Sequence, residues 1–96
     1  MEKSMKHTHR SAETQKDLMI RLNRLEGQIR GIKGMLEESA YCDDVLTQVA
    51  AVKKGLDAFA MVMFEDHLNH CVVRDIKAND PDIMAEVMTT IKRLTK

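Results

Sequence analysis

Residues 14–38 read TQKDLMIRLNRLEGQIRGIKGMLEE, with apolar side chains at Leu18, Leu22, Leu25, Ile29, Ile32 and Leu36. Intervals alternating between four and three place all of them on one stripe of an α-helix, because that spacing tracks the helical turn. A helix is therefore predicted from about Thr14 to Glu38, with Thr14 and Asp17 in capping-box spacing at its start. Gly27, Gly31 and Gly34 weaken it by about 1 kcal/mol each relative to alanine. Two readings stay open for them: close approach of another backbone, or tolerance inside a well-packed bundle.

Upstream, MEKSMKHTHR is polar and aperiodic, so residues 1–13 are expected to form a flexible N-terminal arm and residues 14–96 a single helical domain. Downstream, Glu38–Cys42 is a short connection, and Asp43 and Asp44 suit the positive end of a second helix. Val45, Val49, Val52, Leu56, Phe59 and Met63 repeat the four-three stripe, and no proline intervenes before Pro81, which predicts a helix from Asp43 to about Lys77. Ala78-Asn79-Asp80-Pro81 is a break and restart, with Asp80 as N-cap and Pro81 at the first helical position of a third helix carrying Met84, Val87, Ile91 and Leu94. No segment alternates as a strand. The fold class is all-α, a protomer of two long antiparallel helices plus a short C-terminal helix. Such a flat hairpin leaves much apolar surface without an intrachain partner, and oligomerisation is the expected remedy.

The chain of 96 residues is one domain in size, and 44% hydrophobic and 31% charged residues with only one proline argue against both disorder and a β-sandwich. No apolar run is long enough for a membrane span and no signal-peptide pattern opens the chain, so a soluble, cytoplasmic protein is expected. The net charge is zero, which removes the usual cue for nucleic-acid binding. That zero is an average: residues 1–34 hold eight Lys/Arg against four Asp/Glu, and residues 35–96 hold seven against eleven. The basic residues gather on the first helix as Lys16, Arg21, Arg24, Arg30 and Lys33, joined by Lys53 and Lys54 on the second. One reading is a solvated face. The other is a surface that repeats in an oligomer and neutralises DNA phosphates, without any helix-turn-helix or zinc-finger pattern.

The two cysteines are Cys42 and Cys71, and such a pair in a cytosolic protein points to metal or redox chemistry before a structural disulfide. His67 and Cys71 are four apart and share a helical face, the spacing of two ligands to one metal. On a continuous helix, Cys42 lies about 37 Å from His67. An antiparallel pair of chains brings Cys42 of one beside His67 and Cys71 of the other, giving two intersubunit sites per dimer. Two soft thiolates and one imidazole suit three-coordinate Cu(I), one per intersubunit site, whereas structural Zn(II) normally takes four ligands. His70 is a less favourable fourth donor, and His7 and His9 sit in the polar arm. Met63, Met84 and Met88 fall on or beside the apolar stripes and read as core.

The run Arg21-Leu22-Asn23-Arg24-Leu25-Glu26-Gly27-Gln28-Ile29-Arg30-Gly31-Ile32, then Tyr41-Cys42, Gln48-Val49-Ala50-Ala51-Val52, His67 and Cys71, resembles the CsoR-type copper-sensing transcriptional repressors of bacteria. The resemblance implies a three-helix protomer, an antiparallel dimer assembling into a flat tetramer, binding to operator DNA, and release by Cu(I) that derepresses copper efflux genes. It also implies that Tyr41 and Glu86 hydrogen-bond around the metal histidine, the match at Glu86 requiring a gap in the Asn79–Asp82 loop. Partners on this reading are operator DNA, further copies of the chain and a copper chaperone as metal donor, with no membrane. No enzyme activity is expected.

Within the wider family, persulfide sensors resemble this chain in both cysteines but lack the histidine found here as His67. Formaldehyde sensors lack the second thiol and nickel or cobalt sensors commonly replace it with histidine, so Cys71 argues against both. Some nickel sensors keep both thiols and add an N-terminal histidine; the matching position is Arg10, with His9 beside it. The alternatives are thus a nickel/cobalt- or persulfide-responsive repressor, or a cytosolic copper buffer without DNA function. A redox enzyme ranks lower, because there is no Cys-x-x-Cys pair and no cofactor motif.

Overall fold

A computed structural model describes residues 10–96. Helix α1 spans Ala12–Glu37. It starts earlier than the stripe predicts because Ser11, not Thr14, is the cap: in extended backbone its Oγ accepts the Thr14 backbone N–H at 3.0 Å, satisfying one of the unpaired donors at the helix start. Helix α2 (Cys42–Asp66), a π-helical turn (His67–Val72) and helix α3 (Val73–Lys77) follow one another with helical dihedrals at both joints and form a single rod. Helix α4 (Ile83–Leu94) closes the chain. Its start also departs from the prediction. The Asp80 carboxylate accepts the Asp82 backbone N–H at 2.9 Å, which holds Pro81 in a turn ahead of the helix.

Both rods end in the same way. Ser39 and Asn79 adopt left-handed backbone, with φ of 56° and 59°. Behind them Ala40 N–H reaches Met35 O and Asp80 N–H reaches Asp75 O, each at 2.9 Å, while Ser39 and Asn79 bond to Leu36 O and Ile76 O. These paired bonds satisfy carbonyls that each helix end leaves without a partner and reverse the chain sharply.

The α1–α2 hairpin is held by Leu18 and Leu25 from α1 and Val52 from α2, all buried. Gly55 lets the rods meet: a Cβ there would stand 2.5 Å from Leu25 Cδ2. No comparable approach occurs at Gly31 or Gly34, where a Cβ would meet nothing within 4 Å. The second packing unit is α4 against the π turn, where Val72, Ile83 and Val87 are buried among Phe64, Leu68 and Ile91.

Half of each predicted stripe finds no cover within the chain. Leu22, Ile29 and Leu36 on α1 and Leu56 on α2 are exposed, and so are Met63, Met84 and Met88, which are therefore not core of the single chain. The molecule measures 55 × 29 × 22 Å, and its radius of gyration of 17.2 Å exceeds the ~12–13 Å of a compact chain this long. Its 7632 Å² of surface is about 2,000 Å² more than the ~5,600 Å² of a compact 11.0 kDa protein, an excess on the scale of an obligate interface.

Gly55→Ala should cost about 1–3 kcal/mol by overpacking against Leu25, and Gly31→Ala should add up to about 1 kcal/mol through helix propensity. Urea midpoints of the two variants against the parent chain measure both, and shifts of the same sign would contradict this packing.

Candidate metal centre and basic surface

The π turn concentrates the chain's ligand-type side chains. Wide π turns are uncommon and recur at functional sites; here the turn spans both His67 and Cys71, where periodicity predicts an unbroken α-helix. Cys71 is buried, at 3% exposure. His67 is half-buried, and its Nε2 stands 4.0 Å from Glu86 Oε2 on α4. At 4.0 Å this spacing is longer than a hydrogen bond, so Glu86 stands near the ring without fixing it. His70 is turned away from this pair: its Nδ1 lies 3.2 Å from Asp66 Oδ1 and 3.1 Å from the Asp66 carbonyl oxygen. The Asp66–His70 spacing of four could have been read from the sequence, whereas the π turn leaves no periodic signal.

Cys42 stands at the other end of the rod, exposed in the first turn of α2. Tyr41 precedes it as the N-cap, 73% exposed and making no side-chain capping bond. At 1.5 Å per residue the rod separates Cys42 from His67 by roughly 37 Å. Among the described residues no three His, Cys, Asp or Glu side chains of one chain converge on a metal-sized site. The structure thus places His67 near Glu86 and puts Cys71 on the same π turn, and it leaves Cys42 and Tyr41 at the far end of the rod. His7 and His9 lie outside the described residues.

The predicted basic residues are accessible but do not form one patch. Arg21 and Arg24 line a small cleft of about 90 Å³ between α1 and α2, with Gln28, Ala51 and Gly55. Arg21 is half-buried there and donates Nε to Asp17 Oδ2 at 3.0 Å, one turn back. Lys53 and Lys54 are exposed beside Gly55. Lys16, Arg30 and Lys33 are exposed too, but the 3.6-residue period carries Arg30 and Lys33 around α1 toward the edge opposite the cleft. A further cation that composition did not single out is Arg74. Its Nε donates to Asp75 Oδ1 at 3.0 Å, and this hydrogen bond raises the affinity of the guanidinium for its proton.

A helical hairpin with a short third helix, an imidazole beside that helix and two free thiols far apart on one rod is the architecture of a class of all-helical metal-responsive regulators without a helix-turn-helix. Comparison with known proteins agrees. Residues 14–93 match the metal-sensitive transcriptional repressor family, and the chain belongs to it. It is 38% identical to the copper-sensing transcriptional repressor CsoR of Bacillus subtilis, over 100% of this chain and 99% of that protein. Among solved structures, the copper-sensing repressor CsoR with Cu(I) from Geobacillus thermodenitrificans superposes with a TM-score of 0.86 at 36% identity, covering 94% of this chain and 95% of that one. The nickel-responsive transcriptional regulator InrS gives 0.71 at 37% identity, over 92% and 97%. No helix among the described residues is long and apolar enough to cross a membrane.

The unequal burial of the two thiols has a direct consequence. In metal-free protein, iodoacetamide followed by peptide mapping should label Cys42 well before Cys71, and the difference should vanish in denaturant. Equal labelling of the native protein would contradict the burial of Cys71.

Proposed function

We propose that this protein is a Cu(I)-responsive transcriptional repressor that binds operator DNA when metal-free and is released by Cu(I), derepressing copper efflux genes. The observation that carries the reading is the donor set. His67 and Cys71 sit together on the π turn, Cys42 is about 37 Å away on the same rod, and His70 is engaged by Asp66. An antiparallel homodimer completes each site with Cys42 of one chain and His67 and Cys71 of the other, and two dimers make a flat homotetramer. The exposed apolar edges of α1, α2 and α4 supply surface for such assembly.

Two thiolates and an imidazole fit Cu(I), which accepts three soft donors; Zn(II) would lack a fourth. When bound, the metal supplies ligand bonds that tie the two chains together at this point. Glu86 stands near His67 Nε2, and Tyr41 of the opposite chain arrives beside the same ring together with its Cys42. Arg21, Arg24, Lys53 and Lys54 around the α1–α2 cleft, with Lys16, Arg30 and Lys33, provide the cations that meet DNA phosphates. Near-complete switching requires a preference of about 5.5 kcal/mol between the two arrangements, within reach of several sites each coupling at about 1–3 kcal/mol. A copper chaperone as donor and a cytoplasmic setting belong to the same reading.

The likeness to a nickel-responsive regulator sets a second reading, nickel-controlled release. It is disfavoured by Arg10, which points a guanidinium, not a metal donor, toward Asp66 beside His67.

Fluorescence anisotropy of operator DNA titrated with Cu(I), Zn(II) and Ni(II) tests the function. Cu(I) alone should weaken binding, by about tenfold or more; unchanged or tighter binding sinks the proposal. Cys71→Ala should abolish the response with metal-free affinity retained. The intersubunit arrangement is tested by mixing Cys42→Ala and Cys71→Ala chains: each alone should lose tight Cu(I) binding, and the mixed dimer should recover one of its two sites. No recovery on mixing would rule out the shared site.

A further inference from the structure

We infer that Arg10 and Asp66 form a positioning pair that transmits the state of the π turn to the start of α1. The inference rests on the sensor reading for its purpose, though not for its geometry. Asp66 is the last residue of α2 and directly precedes His67. It is buried and its carboxylate is divided: Oδ1 lies 3.2 Å from His70 Nδ1, and Oδ2 lies 3.9 Å from Arg10 Nε. Arg10 in turn donates Nη1 to Gln15 Oε1 at 2.8 Å, so its guanidinium is fastened to α1 by one arm. The other arm, Nε, is buried and has no hydrogen-bond partner.

This is an almost-made contact. A charge-assisted N–H···O bond closes at about 2.7–2.9 Å, so a shift of about 1 Å in Asp66, at the junction of α2 and the π turn, separates a full bond from the observed spacing. A buried N–H left without an acceptor is costly and rare enough in folded proteins to call for a reason. The surroundings magnify the effect. Arg10 and Asp66 lie on the wall of an apolar groove of about 340 Å³ lined by Phe59, Met63 and Phe64 of α2 and Leu94 of α4, where charges are poorly screened.

Position gives the pair its use. Arg10 immediately precedes the Ser11 cap, so where its guanidinium sits governs how α1 begins, and Lys16 and Arg21 ride on the turns that follow. Movement of Asp66 as its neighbour His67 takes a ligand is therefore passed to the basic helix by a route distinct from the His67–Glu86 contact with α4.

The test uses the full chain with and without one equivalent of Cu(I), read by hydrogen-exchange mass spectrometry over residues 11–21 and by operator anisotropy. In the parent protein, loading should change protection in that segment. Arg10→Gln should bind Cu(I) at the parent stoichiometry and bind operator within about twofold when metal-free, yet lose the protection change and most of the copper-induced release. Arg10→Lys, which keeps the charge, should retain part of both. Asp66→Asn should behave as Arg10→Gln does, and the double variant should be no worse than either alone, as partners in one interaction require. Parent-like exchange and release in Arg10→Gln, or additive effects in the double variant, would overturn the pair. If Cu(I) alters exchange through Arg10 but never releases operator, the pair stands and the sensor reading falls. Normal release in Arg10→Gln removes the pair and leaves the sensor reading standing.

Discussion

A rigid rod that holds Cys42 roughly 37 Å from His67 constrains everything else in this protein. Helical backbone does not bend through such a distance, and the rod stays helical through the π turn. On the proposed site, the thiol and imidazole at one end reach the other thiol only in another copy, which makes metal binding inseparable from assembly. Assembly is also what the packing asks for. Among the described residues no side chain is completely buried, and the interior consists of a few residues at two separate contacts. Without covering Leu22, Ile29, Leu36 and the exposed methionines, so little burial does not offset the entropy of ordering two long rods.

The second constraint is local. The π turn and α4 depend on one another: the turn presents Val72 to α4, and Ile83 and Val87 pack with it. The same short helix carries Glu86 to His67. On the proposed site, a ligand at His67 would reach α4 through the Glu86 contact, while Asp66 lies against His70 and Arg10. Both neighbours of the metal-type residues are charged groups with few alternatives for their partners, and in poorly screened surroundings small displacements change such contacts strongly.

Much of this is legible in the sequence, for physical reasons. Helix existence follows from period, and the four-three stripes locate both rods and α4 to within a few residues. The spacing of Cys42, His67 and Cys71 implies a second chain for the proposed three-ligand site. Boundaries are less legible, because a cap depends on backbone geometry: Ser11 and Thr14 are both chemically able to cap, and only extended dihedrals at Ser11 decide. Likewise Asp80-Pro81 has the form of a helix start, but the carboxylate turns to Asp82. The π turn is illegible, since six residues wound more widely keep the same apolar pattern. Arg10 reads with the polar arm because nothing in MEKSMKHTHR indicates that its last residue reaches a carboxylate more than fifty positions away.

The zero net charge finally takes on structural meaning through the arrangement of α1. On one edge of that helix Arg21 and Arg24 line the cleft against α2; on the other run Leu22, Ile29 and Leu36, uncovered. A helix cannot turn one edge without turning the other. Any repacking of the apolar edge against a neighbouring copy therefore reorients the cationic edge, and the segregation of charge along the chain becomes a coupling between assembly and phosphate binding. The small interior makes that coupling responsive, because α1 is held to α2 chiefly at Leu18, Leu25 and Gly55 and not by a deep core that would fix its rotation. In the proposed mechanism, ligand bonds between chains would choose between two settings of α1, the scale on which a few kcal/mol per site is decisive.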